Sequence, residues 1–318
     1  MSRPSEFELI EGFKQACSNL PEHVREGIGD DMAVLQVGDQ TLCFATDTLL
    51  EGTHFDFSTA TAKQVGYKAL AVNLSDCAAM ASRPIAAVVA LSTPRGIESA
   101  VLDELHAGLH EAAQQFDCPL VGGDTTSWTC EGSGLALTVS VLSAPIMGSP
   151  VLRRGALPGD AILVTGELGG SLSGKHLNFT PRLAEVALIA QRAAIHAMID
   201  ISDGLSQDLN HLCRAGQVHA VIDSGAIPLS NAARATADPL AAALGDGEDF
   251  ELLFTVSTED CDTLLRDWKS LSKTRLNCIG QILPADSDIP DGQHRLYLRD
   301  PMSGRIKPLK PKGWEHPL

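Results

Sequence analysis

The sequence predicts a mixed α/β fold in two domains. Three observations carry that expectation. The chain has 318 residues, more than one hydrophobic core usually serves. Short runs rich in Val, Ile, Leu and Thr alternate with segments of helical periodicity. One stretch near the middle, Ala144–Asp160 (APIMGSPVLRRGALPGD), concentrates Pro and Gly between two strand signals.

In the first half, Met32–Val37, Thr41–Thr46, Ile85–Ser92 and Leu135–Leu142 read as strands bounded by turn residues. In the second half, Ala161–Thr165, Val218–Asp223, Leu252–Val256, Cys278–Leu283 and Arg295–Arg299 do the same. Between them, apolar residues at three- and four-residue spacing predict helices near Ala62–Ala81, Ile97–Phe116, Pro181–Met198, Leu205–Ala215 and Glu259–Leu271. The Pro- and Gly-rich stretch sets expected domains at 1–147 and 148–318. Pro284–Gln293 reads as a surface loop, because strand-like residues follow it.

Composition excludes several classes. A formal net charge of −16 disfavours nucleic acid, whose phosphates need clustered Lys and Arg. No apolar run approaches the roughly 18 residues of a membrane span, and no apolar stretch behind Arg3 suits an export signal, so a cytoplasmic protein is expected. Eight scattered cysteines without a C-x-x-C pair argue against a zinc knuckle or a disulfide framework. An acidic protein that binds phosphorylated molecules must supply positive charge as metal ions, which directs attention to its aspartates.

Those aspartates fall in Asp30-Asp31 of GIGDD, Asp47 of ATDT, Asp76 of NLSDCAAM, Asp124 of VGGDTT, and Asp200 and Asp203 of IDISDG. Most sit where an apolar run meets Gly, Ser or Thr, the place where α/β folds present ligand-binding groups. Converging on one cleft, they would suit several Mg²⁺ ions bridging a polyphosphate. Each taken singly also suits a helix cap or a turn. Asp47 and Asp76 fit that simpler role worst, because they adjoin long apolar segments where an unpaired carboxylate is costly. Glycines in GIGDD, VGGDTT and GDGED would let backbone N–H groups approach phosphate oxygens. Arg153-Arg154 could clamp a phosphate at the domain junction, or serve only the surface.

Gly169–Lys175 (GGSLSGK) nearly matches the phosphate-binding G-x-x-x-x-G-K-[ST] loop. It fails where His176 replaces the Ser or Thr and where Pro181 would interrupt the following helix. Neither H-E-x-x-H nor G-x-S-x-G is present, so zinc hydrolysis and serine-esterase chemistry find no support. His54 in EGTHF is a structural histidine or an orienter of substrate phosphate.

The ordered set GIGDD (27–31), ATDTLLEGTHF (45–55), YKALAVNLSDCAAMAS (67–82), LVGGDTT (120–126), IDISDGLSQDL (199–209) and GEDFELLF (247–254) resembles the thiamine-monophosphate kinases of the aminoimidazole-ribonucleotide-synthetase-like superfamily. The resemblance implies an N-terminal domain whose strands form a dimeric β-barrel and bind ATP and Mg²⁺. A C-terminal α/β domain would close over nucleotide and substrate, in a homodimer. By motif it assigns Asp30, Thr46, Asp47, Asp76, Asp124, Asp200 and Asp203 to Mg²⁺. Gly123, Asp124, Arg153 and Ser202 would contact ATP, while His54, Glu248, Asp249 and Trp314 would border thiamine monophosphate. Ser127-Trp128 and GDGEDF depart from the family pattern, which bears on substrate positioning rather than on the metal ligands.

The implied reaction is in-line transfer of the γ-phosphoryl group of ATP to thiamine monophosphate, giving thiamine diphosphate and ADP. The acceptor phosphate is already ionised, so no residue is assigned as general base. Sister reactions of the superfamily are alternatives. Selenophosphate synthesis is disfavoured because Cys17 lies in the helical run FKQACSNL, and the hydrogenase-maturation relatives because the chain ends WEHPL without a cysteine. A non-catalytic nucleotide- or metal-binding module would need neither acids across both halves nor a second phosphate site.

Overall fold

The computed structural model describes residues 5–285 and 295–316. Its first half holds helices α1 (Glu6–Ala16), α2 (Ala62–Ala79) and α3 (Ser99–Gln115). They accompany strands β1 (Val24–Glu26), β2 (Ala33–Val37), β3 (Gln40–Leu50), β4 (Ser82–Thr93), β5 (Leu120–Ser127) and β6 (Ala136–Pro145). The strands form one open sheet in the order β1-β2-β3-β6-β4-β5. All pairings are antiparallel except β4 with β5, which α3 joins by a parallel crossover. The strand β5 was not expected from its glycine-rich sequence, and pairing with β4 sets its extended backbone.

Helix α2 carries the placement of the site. A Thr61–Gln64 capping box starts it, and fourteen of its residues are buried. One side packs on the first sheet through Leu70 and Leu74, while Ala78, Ala79 and Ala81 join a cluster with Leu163, Met198 and Phe254 of the second half. A helix wedged between two cores loses its amphipathic stripe. Its neighbour α3 approaches closely because Gly66 and Gly108 lack side chains. A Cβ at Gly66 would meet the Leu105 carbonyl oxygen at 2.1 Å, and one at Gly108 the Lys63 carbonyl oxygen at 1.9 Å.

The second half contains β7 (Ala161–Thr165), β8 (Ala197–Asp200), β9 (His219–Asp223), β10 (Leu252–Val256), β11 (Leu276–Leu283), β12 (Leu296–Arg299) and β13 (Ile306–Pro308). Its helices are α4 (Lys175–Asn178), α5 (Leu183–Ala190), α6 (Leu205–Gly216), α7 (Asn231–Arg234), α8 (Pro239–Gly245) and α9 (Thr258–Leu271). The sheet order is β13-β12-β9-β11-β7-β10-β8. Every residue of β7, β8 and β10 is buried, because both faces of the sheet are covered. Ile162, Val164, Ile199 and Leu253 pack toward Leu205, Leu209 and Leu212 of α6. Leu163, Met198 and Phe254 pack toward α5, α9 and the end of α2.

One predicted element needs correction. The expected helix Pro181–Met198 is a shorter helix, α5, followed by a turn and the strand β8. Met198 and Ile199 fill opposite cores and pair with β10, and that burial overrides the helical propensity of the Ala-rich run. The expected loop Pro284–Gln293 lies mostly outside the described residues.

Candidate active site

Between the halves lie two chambers that share a wall of acids. The larger, about 960 Å³, is rimmed by α1 on one side and by Asp30, Asp31, Thr46, Arg153 and α6 on the other. The smaller, about 250 Å³, is lined by His54, Asp246, Glu248, Phe250, Trp314 and His316. Asp47, Asp76, Asp200, Ser202 and Asp203 line both.

Each acid arrives on a different element. Asp30 and Asp31 stand in the turn before β2, Asp47 within β3, Asp76 in the last turns of α2, and Asp200 at the end of β8. Carboxylate oxygens of Asp31, Asp76 and Asp200 all lie within 4.8 Å of one another. Ser75 donates to Asp200 Oδ2 at 2.5 Å. Asp31 holds Arg153 in a fork, with Nη2 to Oδ1 at 2.7 Å and Nε to Oδ2 at 3.3 Å. The backbone N–H of Arg153 donates to Asp30 at 3.1 Å. A second trio, Asp203, Asp208 and His211, brings its ligand atoms equally close beside α6.

Burial and mutual repulsion disturb these groups together. Burial, then the charge of Asp31, pushes Asp30 up to about 7, and the same two causes push Asp200 to about 7. Burial raises Asp203 to about 6. Asp76 stands well above the carboxylate range through burial and the charges of Asp47, Asp200 and Asp31. Asp47 is also raised by burial, and a hydrogen bond with Asp76 partly offsets the rise. Burial opposes the charge on Arg153, yet Asp31 and Asp30 keep it firmly protonated. The donors around the Asp31–Asp76–Asp200 trio are oxygens, a set suited to a hard divalent cation, and such a cation would relieve this repulsion.

The smaller chamber is built by a buried cation. Lys68 of α2 has no solvent exposure and donates to the His54 carbonyl at 2.8 Å and to Glu248 Oε1 at 2.6 Å. Leu50 N–H donates to His54 Nδ1 at 3.0 Å, which fixes the ring. Burial, then His316 and Lys68, lowers His54 to about 4, so the ring is neutral near pH 7. Glu248 and Phe250 hold left-handed backbones, with φ of 52° and 50°. The loop before them needs Gly247, whose Cβ would stand 2.8 Å from the Ser202 carbonyl oxygen. Trp314 is tied in place by its N–H, which donates to the Asp203 carbonyl at 3.0 Å.

Of the predicted site residues, Asp30, Thr46, Asp47, Asp76, Asp200, Asp203, Arg153, Ser202, His54, Glu248 and Trp314 come together in these chambers. Three do not. Asp249 turns away from the smaller chamber and accepts the Gly169 N–H at 2.9 Å, with Lys175 Nζ at 3.8 Å. Gly123 and Asp124 stand exposed on the edge strand β5. Register places Gly123 beside Val89, Val139 and Asp47 in one row, three strand spacings or roughly 14 Å from Asp47. Asp124 therefore projects from the opposite face to Asp47, because successive residues alternate.

Sequence reasoning left Lys68, Asp208, His211 and His316 unassigned, and named Asp31 only as part of the acidic pair in GIGDD. Lys68 carried a signal, since it is the one charge inside the apolar run GYKALAVNL. The lysine of the GGSLSGK loop is engaged within the protein: Lys175 donates to Glu251 at 2.8 Å and to the Glu167 carbonyl at 3.1 Å. Its glycines instead hold the turn that presents Glu248, through Gly169 N–H to Asp249 and Gly170 N–H to Asp246 at 2.9 Å.

Comparison with known proteins agrees with this architecture. The family model "AIR synthase related protein, N-terminal domain" matches residues 29–144, and its C-terminal counterpart matches residues 158–289. A thiamine-monophosphate kinase of Rhodopirellula baltica is 37% identical over 78% of this chain and 81% of its own. The Escherichia coli K12 thiamine-monophosphate kinase is 34% identical over 98% of both chains. Among solved structures, "AaThiL complexed with AMPPCP and TMP" superposes with a TM-score of 0.82 at 28% identity over 99% of both chains. The Stenotrophomonas maltophilia thiamine-monophosphate kinase gives 0.72 at 31% identity, over 92% of this chain and 95% of its own. The hydrogenase maturation protein HypE shares the fold, with a TM-score of 0.71 at 19% identity over 91% of this chain and 95% of its own. The two-domain α/β architecture is thus that of the AIR-synthase-related proteins, and within them this chain belongs to the thiamine-monophosphate kinase family.

Proposed function

We propose that this protein transfers the γ-phosphoryl group of ATP in line to thiamine monophosphate, giving thiamine diphosphate and ADP. The observation that carries the reading is the shared wall: the same aspartates face a large chamber and a small one. A nucleotide in the first and an acceptor in the second would present their phosphates to each other across those acids. The smaller chamber combines Asp246 and Glu248 with the rings of Phe250 and Trp314, a lining suited to a cationic aromatic ligand such as thiamine.

Asp30, Thr46, Asp47, Asp76, Asp200 and Asp203 are the residues that would hold divalent cations, and Mg²⁺ bound there would neutralise the charge of the reacting phosphates. Arg153, oriented by Asp31, and Ser202 face the nucleotide chamber. His54, Glu248 and Trp314 align the acceptor. With an ionised acceptor oxygen, alignment and charge neutralisation suffice without a general base.

The proposal extends to a homodimer. The outer face of the first sheet carries Phe44, Leu50 and Val88 in the open, at 44%, 42% and 39% exposure. A second copy laid on this face and on the β5 edge would close the open sheet into a barrel. Asp124 and Gly123 would then serve the cleft of the second copy. A cytoplasmic location suits the eight free cysteines and the absence, among the described residues, of a helix long and apolar enough to cross a membrane.

Incubation of the purified protein with ATP, Mg²⁺ and thiamine monophosphate should yield thiamine diphosphate in stoichiometric balance with ADP. ATP consumption without that product would overturn the assignment.

A further inference from the structure

Helix α1 is held in place although it buries none of its residues. A Ser5–Glu8 capping box starts it, and two contacts strap its first turn to the second half of the chain. Glu6 accepts the His316 N–H at 2.7 Å, and the Phe7 ring packs on His211 with centroids 5.1 Å apart. The helix then runs along the larger chamber, with Phe7, Ile10 and Lys14 on its wall. Lys14, near its far end, rests against the acid-bearing turn GIGDD. Its Nζ lies 2.8 Å from the point a Cβ would occupy on Gly29, the residue before Asp30.

Three Lys or Arg side chains line this chamber: Lys14, Arg153 and Arg214. Arg153 is committed to Asp31. Among the described residues Lys14 makes no ion pair or hydrogen bond through its side chain, although acids crowd the opposite wall. A flexible ammonium beside a glycine is free to follow an arriving ligand. The anion that the chamber would admit is the polyphosphate of the nucleotide, and its terminal phosphates are the part directed at Asp30.

We propose that Lys14 is a nucleotide-contacting residue, whose ammonium binds the terminal phosphates of ATP from the α1 side of the larger chamber. The proposal rests on the reading of that chamber as the nucleotide site. It names a cation on a helix outside the six sequence motifs. It also accounts for the strapping of a helix that buries nothing.

The test is calorimetric binding of a non-hydrolysable ATP analogue with Mg²⁺ to the intact protein and to Lys14→Ala and Lys14→Arg. Loss of one charge-assisted contact should weaken the analogue about tenfold in Lys14→Ala. Lys14→Arg keeps the charge and should stay within about threefold. AMP, lacking the terminal phosphates, should bind both variants as it binds the unaltered protein, and the KM for thiamine monophosphate should not move. Lys14 is exposed and has no side-chain partner among the described residues, so the melting temperature serves as a control for folding. Unchanged analogue affinity in Lys14→Ala, or an equal loss for AMP, would overturn the role of Lys14 while leaving the kinase reading intact. Failure of the unaltered protein to bind the analogue would overturn both.

Discussion

The ammonium of Lys68, without solvent exposure, lies 2.6 Å from Glu248, and the pair joins the buried helix of the first half to a left-handed loop of the second. The same nitrogen holds the His54 carbonyl, so one side chain sets two walls of the smaller chamber. Burial lowers the pKa of Lys68, and Glu248 opposes that drop.

Lys68→Met should therefore act on the acceptor rather than on the nucleotide. Breaking a buried pair by removing one partner costs about 3 kcal/mol, so the melting temperature should fall. The KM for thiamine monophosphate should rise about tenfold or more, in line with a loss of at least 1.4 kcal/mol in positioning. Steady-state kinetics with each substrate varied in turn decides the matter. An equal rise in both KM values would show a general loss of structure instead.

Asp76 should show stability and activity pulling in opposite directions. Its carboxylate is half-buried on the wall of both chambers, and burial together with Asp47, Asp200 and Asp31 disfavours its charge. In chelator-treated protein, Asp76→Asn removes that repulsion and should raise the melting temperature. Turnover with Mg²⁺ should drop by roughly 10²–10³, the scale of losing one preorganised electrostatic contact. A variant that is both less stable without metal and fully active would contradict the electrostatic account.

Much of the site was legible in the sequence because acids beside Gly, Ser or Thr at the ends of apolar runs have few ways to be satisfied in a core. Asp76 and Asp200 meet beside Asp31, and Asp47 lines the same wall, for that reason. Lys68 stayed hidden because its partner lies 180 residues away. Asp249 misled, since adjacent residues of a left-handed turn point in different directions and only Glu248 reaches the chamber. The strand β8 was hidden by alanines whose helical propensity is outweighed by pairing with β10. The placement of Asp124 depends on sheet register, which no local pattern encodes.

The near-miss phosphate loop offers its own test. Lys175 is spent on Glu251, which also takes Arg182 in a fork at 2.6 Å. Lys175→Met should lower stability and leave the KM for ATP unchanged. Although burial alone would raise the pKa of Glu251, Arg182 and Lys175 hold it below the usual value of 4.5. A depressed carboxylate stabilises the fold above its unfolded pKa and loses that contribution as pH falls through its folded one. Acid unfolding curves below about pH 4.5 should therefore be shallower for Glu251→Gln than for the unaltered protein.

His54 gives the same sign in a higher pH window. Its folded pKa is lowered from 6.5 to about 4, chiefly by burial. Between those values the unfolded chain binds the proton and the folded one does not, so stability declines as pH drops from 6.5 toward 4. His54→Gln should flatten that part of the melting-temperature profile, and an unchanged slope would remove the histidine from the account.

Mixed dimers test whether Asp124 serves the cleft of a second copy. Within one chain it stands three strand spacings, about 14 Å, from Asp47 and on the other face of the sheet. Asp47→Ala and Asp124→Ala proteins should each be inactive alone. Unfolded together and refolded, they should regain roughly a quarter of full activity, because half of the dimers are mixed and one of their two clefts keeps both acids. Were Asp124 to serve its own cleft, every cleft in the mixture would lack one acid and no activity would return. Val88→Arg, placed on the exposed sheet face, separates the same alternatives by mass: it should sediment as a monomer and fail to complement either partner. An unaltered protein that itself sediments as a monomer would remove the second copy from the mechanism and leave Asp124 an ordinary residue of an exposed edge.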